Sequence, residues 1–273
     1  MCPLELKKVA SCNFEFSKKA HPPAWQHFQE NEMQSESVSA FVIGKRDFQE
    51  GSLLVDFFSL QQGKFTAVVQ GGRSSKKNWG GNFEMLSRLE LVKTIPRNAS
   101  ALAKIVRVES ALKLDMQSVE KFYLAAFVCE VIVLLLQEQQ SVGRIFQLLE
   151  ESFAFLQSST VRSFPSIFLA KALTHLGFVP RFSHCTGCGK KFTSGACWES
   201  SGDILCNSCS QARPNLELAD LKVLNFFQNA AMADCCRVKL AKQDGERIFN
   251  LLRKQLQNHA TRKLHTLAFL PPD

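Results

Sequence analysis

The sequence predicts an α+β chain: an N-terminal five-stranded OB-type β-barrel, followed by a helical domain with an inserted four-cysteine zinc module. Three observations carry that prediction. Between Val38 and Ser110 the apolar residues come in short β-branched and aromatic runs separated by turn residues, with no room for crossover helices. After Asp115 the apolar spacing changes to that of helices. Four cysteines then fall in two C-x-x-C pairs, Cys185/Cys188 and Cys206/Cys209, with seventeen residues between the pairs.

Taken in order, residues 1–37 contain His21-Pro22-Pro23 and a polar stretch from Gln26 to Ser37 without a sustained period, and are expected to form an irregular extension outside the fold. Strands are expected at Val38–Lys45, Ser52–Ser59, Lys64–Gln70, Phe83–Lys93 and Leu102–Ser110. The second places Leu53, Val55 and Phe57 on one face, and Gln61-Gln62-Gly63 is a hairpin turn into the third. Five such strands suit an OB-type barrel over residues 38–112.

The first part of the helical domain, 113–182, opens with a helix capped by Asp115 or Ser118 and running to about Gln137. A second spans Arg144–Gln157, with Ile145, Leu148, Leu149 and Leu156 at helical spacing. Pro165 is expected to interrupt the next segment, and a third helix, Ile167–Leu176, is stopped by Gly177 and Pro180. The zinc module occupies 183–212, and 213–273 completes the helical domain with helices at Leu216–Met232 and Asp244–Asn258.

At 273 residues and 45 % hydrophobic composition the chain can bury a sizeable core. Its net charge of +8 favours an anionic partner: nucleic acid, an anionic membrane surface or an acidic peptide. Leu4, Leu6 and Val9 are broken up by Glu5, Lys7 and Lys8, so no secretory signal is expected. The longest apolar run, Phe122–Leu136, is too short to cross a bilayer and contains Glu130, which reads as a central buried helix. Paired cysteines without an export signal point to thiolate ligands in a reducing compartment, hence a cytoplasmic protein without membrane partners.

Two C-x-x-C turns can bring four thiolates onto one ion, the closed tetrahedral set that zinc prefers, so Cys185, Cys188, Cys206 and Cys209 are the expected ligands of a structural zinc. A catalytic zinc keeps an open position, and neither H-E-x-x-H nor the P-C-x-x-C of zinc deaminases is present: His184 precedes Cys185 and Leu205 precedes Cys206. Cys129, Cys197, Cys235 and Cys236 read as packing residues.

Cations supply the second signal. In Gly71-Gly72-Arg73-Ser74-Ser75-Lys76-Lys77-Asn78-Trp79, Arg73, Lys76 and Lys77 can neutralise phosphates, the glycines let backbone N–H groups approach, and Trp79 can stack on a base. Lys45 and Arg46 belong to the same barrel, where eleven Lys/Arg against six Asp/Glu over Val38–Ser110 leave +5. A second basic region, Arg237–His265, holds eight Lys/Arg against Asp244 and Glu246. Arg247 and Lys254 share a helical face there, and Arg262-Lys263 follow. Solvated surface charge is the plain alternative for each of these residues. No P-loop, G-x-G-x-x-G or G-x-S-x-G motif occurs and the six histidines are scattered, so no catalytic residue is assigned.

Four features in this order resemble the RecO family of bacterial DNA repair and recombination proteins, over about residues 38–270. They are the strand pair AFVIGKRDFQEGSLLVDFFSLQQGKFTAVVQGGRSSKK (Ala40–Lys77), the helix ending in Leu-Gly (Phe168–Gly177), the cysteine quartet and the closing LQNHATRKLHTLAFL (Leu256–Leu270). The resemblance implies a recombination mediator with an N-terminal OB-fold. It would bind single- and double-stranded DNA, anneal complementary strands, and work with RecR to load RecA onto strands coated by single-strand-binding protein. It implies phosphate contacts at Arg73, Lys76 and Lys77, a structural metal on the four cysteines, and a cytoplasmic, nucleoid-associated location. Two departures stand out: residues 1–37 have no counterpart, and Ser166-Ile167-Phe168-Leu169 replaces the family's frequent Arg-x-Phe-Glu, near where family members receive the acidic tail of single-strand-binding protein. Nearby Arg162 is a candidate substitute. Two other classes compete: a zinc-stabilised interaction scaffold binding acidic peptides, and a zinc hydrolase or deaminase.

Overall fold

Strand β1, Ser35–Phe48, carries apolar side chains at consecutive positions, Ala40-Phe41-Val42-Ile43, so neither of its faces can be left in water. A computed structural model, describing residues 34–74, 79, 81–96, 98, 101–137, 143–260 and 262–270, shows where each face goes. Val38, Ala40 and Val42 enter one apolar cluster with Val55, Phe57, Ala67, Leu89 and Leu91, the interior of a barrel. Phe41 and Ile43 enter a second, larger cluster built by the helices.

The barrel closes through β2 (Ser52–Ser59), β3 (Gly63–Val69), β4 (Ser87–Thr94) and β5 (Ala103–Lys113) in the order β1-β2-β3-β5-β4, with β4 returning to β1. Only the β3–β5 contact is parallel, at Ala67↔Ala103 and Val68↔Lys104. This is the OB-type barrel the strand pattern predicts. Strand boundaries differ by more than one residue at both ends of β1, at the start of β4 and at the end of β5; Arg46–Phe48 extend β1 by pairing with Leu54, Leu53 and Ser52. β1 starts at Ser35 because Ser35–Ser37 pair with Thr94, Lys93 and Val92, and the Glu36 carboxylate accepts from buried Lys93 Nζ at 2.6 Å. Residues 1–33 of the expected extension lie outside the described residues. β4 starts at Ser87 because Phe83 is taken into the barrel, its ring edge-on to Phe57 at 6.3 Å. β5 continues to Lys113 because Ala111–Lys113 still find partners at Ser87–Leu89.

The helical body begins with α1, Val119–Leu135, capped as expected by Ser118, whose Oγ accepts the Lys121 N–H at 3.3 Å. Next come α2, Gly143–Ser158, and α3, Phe164–His175. Pro165 sits in the first turn of α3, where its missing N–H has no helical partner to lose, so it starts the helix rather than interrupting it. The expected helix Leu216–Met232 is divided into α4, Leu218–Asn229, and α5, Met232–Cys235. The break is stabilised from outside: buried Lys171 of α3 donates its ammonium to the Ala230 carbonyl at the end of α4. α6, Lys242–His259, and a 3-10 turn, Thr266–Phe269, complete the body. Among the described residues, no helix is long and apolar enough to cross a membrane.

Barrel and body meet through aromatic rings. Phe41 lies 5.8 Å from Phe146 and 5.5 Å from Phe153 of α2, and Phe58 of β2 lies 5.6 Å from Phe146. Lys64 Nζ adds a bond to the Val133 carbonyl near the end of α1, at 3.0 Å.

Glu130, the one acidic residue in the apolar stretch of α1, has a defined task. Its carboxylate accepts the backbone N–H groups of His265 and Thr266 at 2.8 Å each and the Thr266 hydroxyl at 2.7 Å, with Arg262 at 3.2 Å. Burial pushes its pKa up, but these donors and the Arg262 charge outweigh burial and hold it below the ordinary carboxylate value. Its stabilising contribution is therefore complete above the unfolded carboxylate pKa and is lost as pH falls through the lowered folded value. Glu130→Gln is expected to cost about 1–3 kcal/mol near neutrality. In thermal melts the gap between wild type and variant should close as the solution is acidified; a constant gap would refute the assignment.

Candidate metal centre and nucleic-acid interface

The cysteine quartet sits on two similar turns. In the first, the Gly189 N–H returns to the Cys185 carbonyl at 2.9 Å; in the second, the Cys209 and Ser210 N–H groups return to the Cys206 carbonyl at 2.9 and 3.0 Å. A short hairpin, β6 (Ala196–Trp198) with β7 (Ile204–Cys206), delivers the second turn to the first. The four sulfurs all lie within 4.8 Å of one another, and Cys188 Sγ is 3.8 Å from Cys206 Sγ. A tetrahedron with metal–sulfur bonds of ~2.3 Å has sulfur–sulfur edges of about 3.8 Å, so the donor set and its spacing fit zinc. Gly187 makes the approach possible, since a Cβ there would meet Cys209 Sγ at 3.4 Å and Leu205 Cδ2 at 3.2 Å.

Protonation is uneven across the cluster. Burial raises the Cys185 thiol, but N–H groups of Cys206, Cys188 and Gly187 outweigh it and bring its pKa to about 6. Hydrogen bonding with the Cys188 and Cys206 thiols pushes Cys209 up to about 12. A divalent cation would even out this difference by taking all four as thiolates. Cys197 lies in β6 opposite Leu205, outside the quartet, and burial pushes Cys129 up to about 12, as expected of packing cysteines.

The module is braced against α6. Gly202 has φ +99°, and a Cβ there would come within 2.8 Å of Gln255 Nε2, so only glycine lets the hairpin turn approach the helix this closely. Asn258 Nδ2 donates to the Ser200 carbonyl at 3.1 Å. Asn215 bonds both backbone groups of Trp198, whose ring lies edge-on to Phe182 at 5.1 Å.

The cations divide by what already holds them. On the barrel, Lys45 pairs with Glu84 at 2.6 Å and Arg73 with Asp47 at 2.9 Å, all four side chains being well exposed. Such pairs are worth about 0–1 kcal/mol and exchange readily for a phosphate. Arg46 instead pairs with Asp56 at 2.7 Å, a largely buried carboxylate that also accepts from Thr66. Trp79 is half-buried; its indole N–H donates to the Gln70 carbonyl at 3.2 Å and its ring packs edge-on against Phe83. Lys76 and Lys77 lie outside the described residues. In the body, Arg247 grips buried Asp220 through two bonds of 3.0 and 2.8 Å and Asp244 at 2.9 Å, joining α6 to α4, while Arg262 is held by Glu130. Lys254 and Lys263 are exposed and make no ion pair among the described residues.

Two cavities extend the groupings that the spacing suggested, the first by adding Arg253 to the expected Arg247, Lys254 and Lys263, the second by bringing Arg162 to Lys239 and Lys242. One, of about 850 Å³, brings Arg247, Lys254 and Lys263 together with Arg253 along α6. The other, of about 620 Å³, is lined by Arg162, Ser163, Lys239 and Lys242 beside Val161, Val238 and Leu240. It lies at the starts of both α3 and α6, and neither start has a capping side-chain hydrogen bond. The start of α6 has no capping side chain, whereas at α3 the Phe164 N–H already donates to the Val161 carbonyl at 3.0 Å and Pro165 has none to give, so one helix start and several cations here favour an anion. Ala241 at the start of α6, where a Ser or Asp would usually cap, was the sequence signal for it.

Fold and site define a class: an OB-barrel protein whose helical body carries a four-cysteine module with metal-ligand spacing and basic cavities. Within that class the chain belongs to the RecO family. Residues 33–112 match the family model described as Recombination protein O N terminal, and residues 116–268 match Recombination protein O C terminal. The chain is similar to the DNA repair protein RecO of Desulfatibacillum aliphaticivorans, at 26 % identity over 86 % of this chain and 95 % of that protein. It is also similar to that of Geobacter metallireducens, at 27 % identity over 87 % and 98 %.

Cys185→Ser removes one thiolate from a closed set. The variant is expected to lose stoichiometric zinc by elemental analysis and to melt roughly 5–10 °C lower. Unchanged zinc content and melting temperature would refute the ligand assignment.

Proposed function

We propose that this chain is a recombination mediator in DNA repair, acting without a catalytic residue. It binds single- and double-stranded DNA, anneals complementary strands, and with RecR helps load RecA onto strands coated by single-strand-binding protein. The observation that carries this reading is the match to both halves of the RecO family, over 33–112 and 116–268.

The chemistry of the cations supports it. Arg73 and Lys45, in exposed and exchangeable pairs, are the proposed phosphate contacts on the barrel, with Lys76 and Lys77 of the same loop and Trp79 as a stacking surface. Lys254 and Lys263 are proposed contacts on the body, whereas Arg46, Arg247 and Arg262, held by buried carboxylates, contribute positive field more than direct contact. Annealing then follows from neutralising two strands and bringing them together, while base pairing supplies the selectivity. Zinc on Cys185, Cys188, Cys206 and Cys209 would be structural, bracing the module against α6 without an open coordination position.

The cavity at the starts of α3 and α6 suits the acidic tail of single-strand-binding protein: cations and uncapped N–H groups for carboxylates, and Val161, Val238 and Leu240 for apolar side chains. Arg162 stands there in place of the arginine missing from Ser166-Ile167-Phe168-Leu169.

The test is annealing of two labelled complementary oligonucleotides, naked or coated with single-strand-binding protein, without nucleotide. Acceleration that weakens steeply with salt is expected, and Arg73→Ala with Lys76→Ala should slow it about tenfold and flatten the salt dependence. Arg162→Ala with Lys239→Ala should impair only the coated reaction. No acceleration by folded, zinc-loaded protein would refute the mediator reading in favour of an interaction scaffold. Equal loss on naked and coated strands would refute the tail site.

A further inference from the structure

The groove along α6 has a different character from the cavity at the helix starts. Arg253, Lys254 and Lys263 border it, all exposed and none in an ion pair among the described residues. Leu251 and Leu264 give it an apolar lining beside Asn250 and Gln257, whose Nε2 donates to the Arg262 carbonyl at 3.1 Å and leaves Oε1 to accept. Arg247 also lines it, its charge already offset by Asp220 and Asp244. At about 850 Å³ the groove is sized for an organic group, not for a bare ion.

We propose that this groove receives an unpaired base of single-stranded DNA, with the flanking phosphates held by Arg253, Lys254 and Lys263. The inference rests on the DNA-binding reading above and narrows it to one strand form and one place. Uncompensated cations attract a polyanion, but they do not explain the leucines or the amides. A nucleobase matches both: an apolar face for Leu251 and Leu264, and a donor–acceptor edge that Asn and Gln amides can pair with. Paired bases in a duplex are stacked and cannot enter a concave pocket, so the groove selects single strands by shape. An acidic peptide is better served by the other cavity, where the uncapped start of α6 supplies N–H donors that the groove along the helix lacks.

The experiment measures binding of a short labelled single strand, and of the matching duplex, by the full-length protein across a salt series. Arg253→Ala/Lys254→Ala/Lys263→Ala is expected to lower single-strand affinity about tenfold and reduce the log–log salt slope by about 2, roughly 0.7 for each lost contact, while duplex affinity changes less than about threefold. With 2-aminopurine in the single strand, wild type should alter the fluorescence of the base, and Asn250→Ala/Gln257→Ala should diminish that response without changing the salt slope. Zinc content and melting temperature check that each variant is folded. Unchanged single-strand binding by the triple variant, or an equal loss for duplex, overturns the groove assignment while the DNA-binding reading stands. Loss of acidic-peptide binding in its place also overturns it. Failure of the wild type to bind either form refutes the DNA-binding reading itself.

Discussion

The two-sided burial of β1 and β2 is the constraint from which the rest of the molecule follows. Val42 and Phe57 must face inward for the barrel to have a core, and the strand period then turns Phe41 and Phe58 outward. Rings of that size are not stable as a patch in water, so the barrel needs the wall that Phe146 and Phe153 of α2 provide. Polar contacts such as Lys64 to the Val133 carbonyl fix the orientation of a contact made by apolar burial. The nucleic-acid surfaces proposed on barrel and body are thus carried on one continuous apolar frame.

That frame also decides which charges are available. A cation opposite a buried carboxylate is part of the architecture: Arg247 ties α6 to Asp220 of α4, and its pKa is raised further by that bond. Removing Arg247 would strand the buried Asp220 carboxylate without its main partner. A cation opposite an exposed carboxylate, such as Arg73 with Asp47, gives up little when a phosphate competes. Net charge by itself could not make this distinction, because it counts both kinds alike.

Much of the fold was legible because its signals are local. Five strand runs, the Ser118 cap and the C-x-x-C spacing each act over a few residues. What escaped was set by residues far apart in the chain. No Gly or Pro stands near Ala230 to break a helix; its carbonyl is taken by Lys171, fifty-nine residues away, with local help from Cys235. Pro165 could equally start or interrupt a helix, and packing of Phe164 and Phe168 into the body decides for a start. The site was legible to the same extent. The sulfur quartet follows from spacing, whereas the grouping of Arg253 with Lys263, or of Arg162 with Lys239, requires α6 and its neighbours to be in place.

Glu130 has a consequence for the order in which the protein can be completed. Its donors reside on His265 and Thr266, more than a hundred residues downstream, at the end of the described chain. A growing chain leaves the ribosome from its N-terminus, so α1 emerges with its carboxylate well before those donors exist. Until then the carboxylate must stay hydrated or be protonated, and α1 cannot bury that side fully. The segment around residues 265 and 266 therefore closes this side of α1 late, and a nascent chain halted before residue 265 would keep that seam open to water.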